Sequence, residues 1–221
     1  MAFMVFEDRM DAASQLATAL AKFRGTNPLV LAIPRGAVPM GRLIADALEG
    51  ELDVVLVRKL GAPGNAEFAI GSVDEGGWAY VAEYAASTGA DAAYIEAEKQ
   101  AQLEVMRRRR AEYTPVRPPI DPAGRVVIVV DDGLATGSTM ISALHALRSK
   151  SPARLIVAVP VSPPDTLRKV QALADETVCL AAPAHFAAVG QFYQEFNQVS
   201  DAEVIAILRA DAGLPHKPAA G

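Results

Sequence analysis

Five short stretches of this chain are aliphatic almost without interruption, and they constrain its fold more than any other feature: PLVLAI (28–33), LDVVLV (52–57), RVVIVV (125–130), ARLIVAVP (153–160) and ETVCLA (176–181). A strand with one face in water alternates apolar and polar residues, whereas a strand covered on both faces has no polar side to present. Between the runs lie segments with helical spacing. Met10, Ala13, Leu16, Ala17, Leu20 and Phe23 recur at three- and four-residue intervals, with Asp8 placed to cap and Gly25 to terminate. Residues 37–50, 138–150 and 164–174 also read as helices. Strands and helices in alternation imply an α/β fold, a parallel sheet with helices on both faces.

One segment departs from that rhythm. FAIGSV (68–73) and WAYVAE (78–83) read as a hairpin, 91–113 as a long polar helix, and PVRPPIDPAG (115–124) as its break, which makes an excursion of about 74–120. A small hood of about 180–205 follows the fifth strand. Residues 211–221 have no periodic apolar face and read as a mobile tail, so 1–210 is expected to form a single domain.

Composition narrows the function. A formal charge of −5 argues against a dedicated nucleic-acid surface. The basic cluster MRRRR (106–110) has Glu96, Glu98, Glu104 and Glu112 around it and reads as a solvated helix face. No apolar run approaches the ~18 residues of a membrane span, and the N-terminus carries acids where a secretory signal has a basic start. The single cysteine, Cys179, excludes an intramolecular disulfide and reads as a buried core thiol. A cytoplasmic protein is expected.

Ligands of such sheets bind at the carboxyl ends of strands, so the loops after residues 33, 57 and 130 matter most. The third is VVDDGLATGSTM. Gly133 and Gly137 allow a tight turn, while Thr136, Ser138 and Thr139 place hydroxyls where a following helix exposes unpaired N–H groups. That combination suits a phosphate. A helix cap needs only one such residue, and here two acids, two glycines and three hydroxyls fall within nine positions. Carboxylates repel a phosphate unless they face another part of the same molecule. Asp131 and Asp132 therefore point to a phosphorylated sugar, accepting from ribose hydroxyls or holding Mg²⁺. The chain has no G-x-x-x-x-G-K-[ST] loop, which weakens an ATP reading.

VVIVVDDGLATGSTM resembles the loop of type I phosphoribosyltransferases that binds 5-phosphoribosyl-1-pyrophosphate (PRPP). The resemblance implies Asp131 and Asp132 on the ribose hydroxyls, with Ala135, Thr136, Gly137, Ser138 and Thr139 around the 5-phosphate. IPRGAVP (33–39) resembles the family's pyrophosphate loop, in which a cis non-proline peptide aims N–H groups at the leaving group. Arg35–Gly36 is the bond expected to be cis. VRKLGAPGNAEFAIGSV (57–73) resembles the segment that carries basic pyrophosphate ligands into a mobile loop. Arg35, Arg58 and Lys59 are the candidate cations. Arg58 and Lys59 leave opposite faces of a continuing strand, and Lys59 is the favoured catalytic group.

The resemblance also has limits. Ala135 stands where 6-oxopurine transferases carry an acid, so that proton route is missing. The loop is nearer that of adenine phosphoribosyltransferase, which gives Glu67 a possible proton-handling role. The excursion and hood resemble a group of bacterial phosphoribosyltransferases of unassigned acceptor. In the hood Phe186, Phe192, Tyr193 and Phe196 are candidates to stack on a base, and His185 to relay a proton, although aromatic residues in apolar segments usually serve the core. His145 reads as structural.

The expectation is a Mg²⁺-dependent, homodimeric transferase that passes the phosphoribosyl group of PRPP to a nitrogen of a nucleobase or similar heterocycle, as in purine salvage. The alternatives are a PRPP-sensing regulator that binds RNA or a protein, and a sugar-phosphate phosphatase or lyase that leaves the first two loops unexplained.

Overall fold

A computed structural model describes residues 6–114 and 119–211, apart from the side chain of Glu67. The expected parallel sheet is present. Its strands are β1 (Leu29–Ala32), β2 (Glu51–Val54), β6 (Val126–Val130), β7 (Arg154–Val161) and β8 (Glu176–Ala181). They pair in parallel throughout, in the order β2-β1-β6-β7-β8. Alternate residues of each strand enter two different apolar cores. Val30, Ala32, Ile128, Val130, Ile156 and Ala158 pack with α1 (Arg9–Ala19) and α2 (Ala37–Leu48). Leu29, Leu31, Val127, Val129, Leu155 and Val157 pack with α4 (Ser138–Arg148) and Val170 of α5 (Pro164–Gln171). With both faces covered, an uninterrupted aliphatic run is the pattern the strands need.

The excursion begins earlier than expected. Residues 57–74, read as a strand end followed by a mobile loop, form β3 (Val57–Ala62) and β4 (Asn65–Asp74), an antiparallel pair. With β5 (Ala79–Val81) they make a second, three-stranded sheet, which contains the expected hairpin. Leu60, Ile70 and Val73 are buried in one core with Leu103 and Met106 of α3 (Ala92–Tyr113), so this segment has an apolar face of its own.

The C-terminal stretch is tied to the N-terminus. The Phe6 N–H donates to Phe192 O at 2.8 Å, and the Gln194 N–H donates to Phe6 O at 2.9 Å. A helix absent from the sequence reading, α6 (Asp201–Asp211), then packs against α2 and α3. Its start carries a reciprocal cap: the Ser200 N–H donates to Glu203 Oε2 at 2.7 Å and the Glu203 N–H to Ser200 Oγ at 3.2 Å. Asp211 ends this helix, and the rest of the expected tail lies outside the described residues.

Candidate active site

The loop between β6 and α4 is open where a phosphate would need it. Ala135, Thr136 and Thr139 are exposed, and Ser138 is half-buried. Gly137 has φ +72°, a left-handed conformation that suits glycine, and it leads directly into α4. Thr136 Oγ1 and Ser138 Oγ are hydrogen-bonded at 2.9 Å, which pins the turn. Thr166 of α5 supports it from behind by donating to Ala135 O at 2.8 Å.

Asp131 and Asp132 stand at the start of this loop. Asp132 Oδ2 accepts from Arg9 Nε at 2.9 Å and lies 2.8 Å from Arg9 Nη2, while the Asp131 carboxyl accepts the Asp132 N–H at 2.9 Å. Burial, reinforced by the Asp132 charge, holds the Asp131 carboxyl well above the ordinary carboxylate range. Burial also raises Asp132, but the Arg9 guanidinium pulls it back. Two adjacent acids in one partly buried place thus share their charge unequally.

The loop after β1 meets this pair directly. A Cβ on Gly36 would come within 2.1 Å of Asp132 Oδ2 and 3.1 Å of Arg9 Nε. Glycine is required here for space, since its φ of −56° is ordinary. The cis non-proline bond is Pro34–Arg35, one residue before the expected Arg35–Gly36. Arg35 is exposed, and its Nη1 donates to Asp201 Oδ2 of α6 at 3.3 Å. Tyr113 OH donates to the other oxygen of Asp201 at 2.5 Å, and burial pushes the Tyr113 hydroxyl up to about 12.

Arg58 and Lys59 lie on β3, which runs through both without turning, so their side chains leave opposite faces. Arg58 is the one that lines a narrow cleft with Ile33, Pro34, Met106, Arg109 and Thr139. Its Nε donates to Gln102 Oε1 of α3 at 2.9 Å. Lys59 is half-buried on β3, and Glu67 lies on β4 with its side chain outside the described part.

The hood reaches the same place. Tyr193 OH donates to Asp132 O at 2.6 Å, and the Arg9 guanidinium lies 3.9 Å from the centre of the Phe196 ring. Phe192 and Tyr193 are buried and Phe186 is half-buried, so core packing accounts for them, whereas Phe196 is exposed. His185 is exposed. His145 is in the last turn of α4, stacked on Tyr80 at 4.2 Å, and burial lowers its pKa. Cys179 is half-buried, and burial pushes its thiol up to about 11, away from ready ionisation.

The arginine cluster is only in part the expected solvated face: Arg107 and Arg108 pair with Glu104, but Arg110 turns inward to Asp53 and Glu75. Sequence reasoning missed Arg9, Thr166, Arg109 and the Tyr193–Asp132 bond. Arg9 did carry a signal, because a cation at the first position of a helix opposes the helix dipole and so calls for another partner.

Comparison with known proteins identifies the family. The phosphoribosyl transferase domain family matches residues 6–196. The Thermus thermophilus protein TT1426, known from a crystal structure, is 47% identical, with a TM-score of 0.85 over 93% of this chain and 98% of that one. Two Mycobacterium tuberculosis proteins, from strains CDC 1551 and H37Rv, provisionally named phosphoribosyl transferases, are each 42% identical over 205 residues, 92% of this chain. The chain spans about half the length of these curated relatives, 46% of each. With the family match covering most of its length and the loop chemistry in place, the chain belongs to the phosphoribosyl transferase domain family.

Proposed function

We propose that the protein transfers the 5-phosphoribosyl group of PRPP to a ring nitrogen of a heterocyclic acceptor and releases pyrophosphate. One observation carries this reading. An exposed, hydroxyl-bearing loop and two carboxylates at the end of β6 meet a second loop at the end of β1, where Gly36 packs against Asp132.

The residues divide the substrate between them. Ala135, Thr136, Gly137, Ser138 and Thr139 receive the 5-phosphate through N–H and hydroxyl donors. Asp131 and the Asp132 oxygen not taken by Arg9 accept from the ribose hydroxyls. As the acceptor nitrogen bonds to C1, the C1–oxygen bond breaks and its electron pair leaves with pyrophosphate. Gly36, Arg35, Arg58 and Lys59 stabilise that charge, with Lys59 acting when the β3–β4 hairpin closes on the site. Glu67 on the same hairpin takes the nitrogen's proton, since Ala135 offers no acid for the task. Phe196 supplies an exposed ring near the acceptor.

Asp131 and Asp132 fit a shared magnesium site. Among the described residues no group of three or more acids, histidines or cysteines gathers around a common point. Two carboxylates alone suit an ion that keeps several waters and takes its other ligands from substrate phosphates. When bound, it neutralises charge on the pyrophosphate.

The reading places the enzyme in the cytoplasm as a homodimer. Among the described residues no helix is long and apolar enough to cross a membrane. Exposed Trp78, Tyr80 and Val81 on and beside the edge strand β5 support self-association, and a monomer in sedimentation at micromolar concentration would count against it.

The deciding assay supplies PRPP, Mg²⁺ and a panel of purines, pyrimidines and related heterocycles, and measures pyrophosphate. Release that depends on one acceptor is expected. PRPP binding without turnover on any acceptor would remove the proposed transfer.

A further inference from the structure

Arg109 sits in the excursion, outside the α/β core, yet its side chain lines the cleft at the pyrophosphate loop with Pro34, Arg58 and Thr139. It is half-buried. Its neighbours on α3 have acidic partners: Arg107 and Arg108 share Glu104, and Arg110 holds Asp53 and Glu75. Among the described residues no carboxylate lies within ion-pair distance of Arg109. Its guanidinium lies 6.0 Å from the centre of the Tyr113 ring, and its positive charge helps to lower the pKa of the Asp201 carboxylate. Asp201 is already engaged by Tyr113 OH and Arg35.

A second guanidinium shares this cleft. Arg58 Nε is held by Gln102, seven residues before Arg109 and so on nearly the same side of α3. Two like charges lining one partly enclosed space raise each other's energy, and a half-buried guanidinium without an acid lacks the compensation that burial calls for. An anion between them removes both penalties. Guanidinium groups bind phosphoryl oxygens with paired, charge-assisted bonds. Thr139 comes from the phosphate-loop helix and Pro34 from the pyrophosphate loop, so the cleft adjoins the two ends of the same substrate.

We propose that Arg109 is a further substrate-binding residue: together with Arg58 it forms a subsite on the α3 side for the pyrophosphate group of PRPP. The inference rests on the PRPP reading. It also gives α3 a role, since the helix then carries a charge that the α/β core does not supply. The inward-turned Arg110, adjacent in sequence, fixes the register that brings Arg109 to the cleft.

The test uses the full chain with Mg²⁺ and compares wild type, Arg109→Gln and Arg109→Lys by calorimetric titration with PRPP, pyrophosphate and ribose 5-phosphate. Arg109→Gln should weaken PRPP and pyrophosphate roughly tenfold or more, the loss expected for a charge-assisted hydrogen bond. It should leave ribose 5-phosphate affinity and Tm unchanged, and Arg109→Lys should recover part of the loss. Unchanged pyrophosphate affinity in Arg109→Gln, or an equal loss for ribose 5-phosphate, would overturn the inference. Wild-type protein that binds pyrophosphate through Arg109 but neither PRPP nor ribose 5-phosphate would keep the subsite and remove the transferase reading. Binding of none of the three would remove both.

Discussion

Asp131 occupies a place that disfavours its charge. Its carboxyl lies beside Asp132, and burial raises its pKa well above the usual range, so ionising it in the folded protein is unfavourable. Arg9 relieves Asp132 directly and lies farther from this strain on Asp131. A carboxyl whose folded pKa exceeds its unfolded value, about 3.9 for Asp, stabilises the fold fully below the unfolded value. That stability is lost as pH rises through the folded value. The contribution of Asp131 to the Tm of the ligand-free protein should therefore fall as pH climbs from about 4 toward neutrality. Asp131→Asn should flatten that slope and raise Tm at pH 7, by about 2–4 °C for each kcal/mol relieved. The same change should weaken PRPP at least tenfold, because a hydrogen bond to a charged group is worth about 1.5–3 kcal/mol. Scanning calorimetry across pH and PRPP titration read the two effects. A variant that gains no stability, or binds PRPP as wild type does, would contradict this account of the acid pair.

Elements differ in how plainly they can be read, and the reason is where their partners lie. β1, β6 and β7 are legible because successive residues enter two apolar cores, which leaves a continuous aliphatic run in the chain itself. The β6–α4 loop is legible because its glycines and hydroxyls lie together in sequence and shape the turn through local backbone geometry. Arg9 is a different case: its partner Asp132 is 123 positions away, and nothing near it in sequence names that acid. The cis bond falls one residue from the expected place because a loop motif gives the chemistry of the turn but not its torsions. α6 buries little beyond Val204 and Leu208, so its apolar face is faint, but Ser200 and Glu203 form a capping box that was readable. On the proposed reading that cap bears on function, because Asp201 follows it immediately and accepts from Arg35. Ser200→Ala should cost about 1 kcal/mol of stability. It should also weaken pyrophosphate binding a few-fold, while Arg35→Ala in the same background adds less than it does alone. Fully additive losses in a double-mutant cycle would show that the cap does not act through Arg35.

At the scale of the molecule, two sheets of opposite construction must be kept in register, because the phosphate loop belongs to one and Arg58 and Lys59 to the other. α3 spans them. Its Leu103, Met106 and Tyr113 enter the shared core, and Arg110 places a guanidinium 2.8 Å from Asp53 of β2 and 2.5 Å from Glu75 beyond the end of β4. Asp53 is 1% exposed and also accepts the Ile120 N–H at 3.0 Å, so this one acid joins three segments of chain. Apolar contact alone can slide along a helix, whereas a buried ion pair has a single geometry. Removing one partner from such a pair leaves a buried charge uncompensated and costs about 3–5 kcal/mol. Arg110→Met should therefore lower unfolding free energy by about 3 kcal/mol, measured as a fall in urea midpoint. Adding Asp53→Asn should restore part of that loss, since it removes the stranded charge. In the single variant, pyrophosphate affinity should fall even under conditions where the protein remains folded, because α3 loses the contact that sets the position of Arg109. A loss of stability with unchanged pyrophosphate binding would mean that the apolar face of α3 sets the register by itself, and that Arg110 contributes stability without positioning the site.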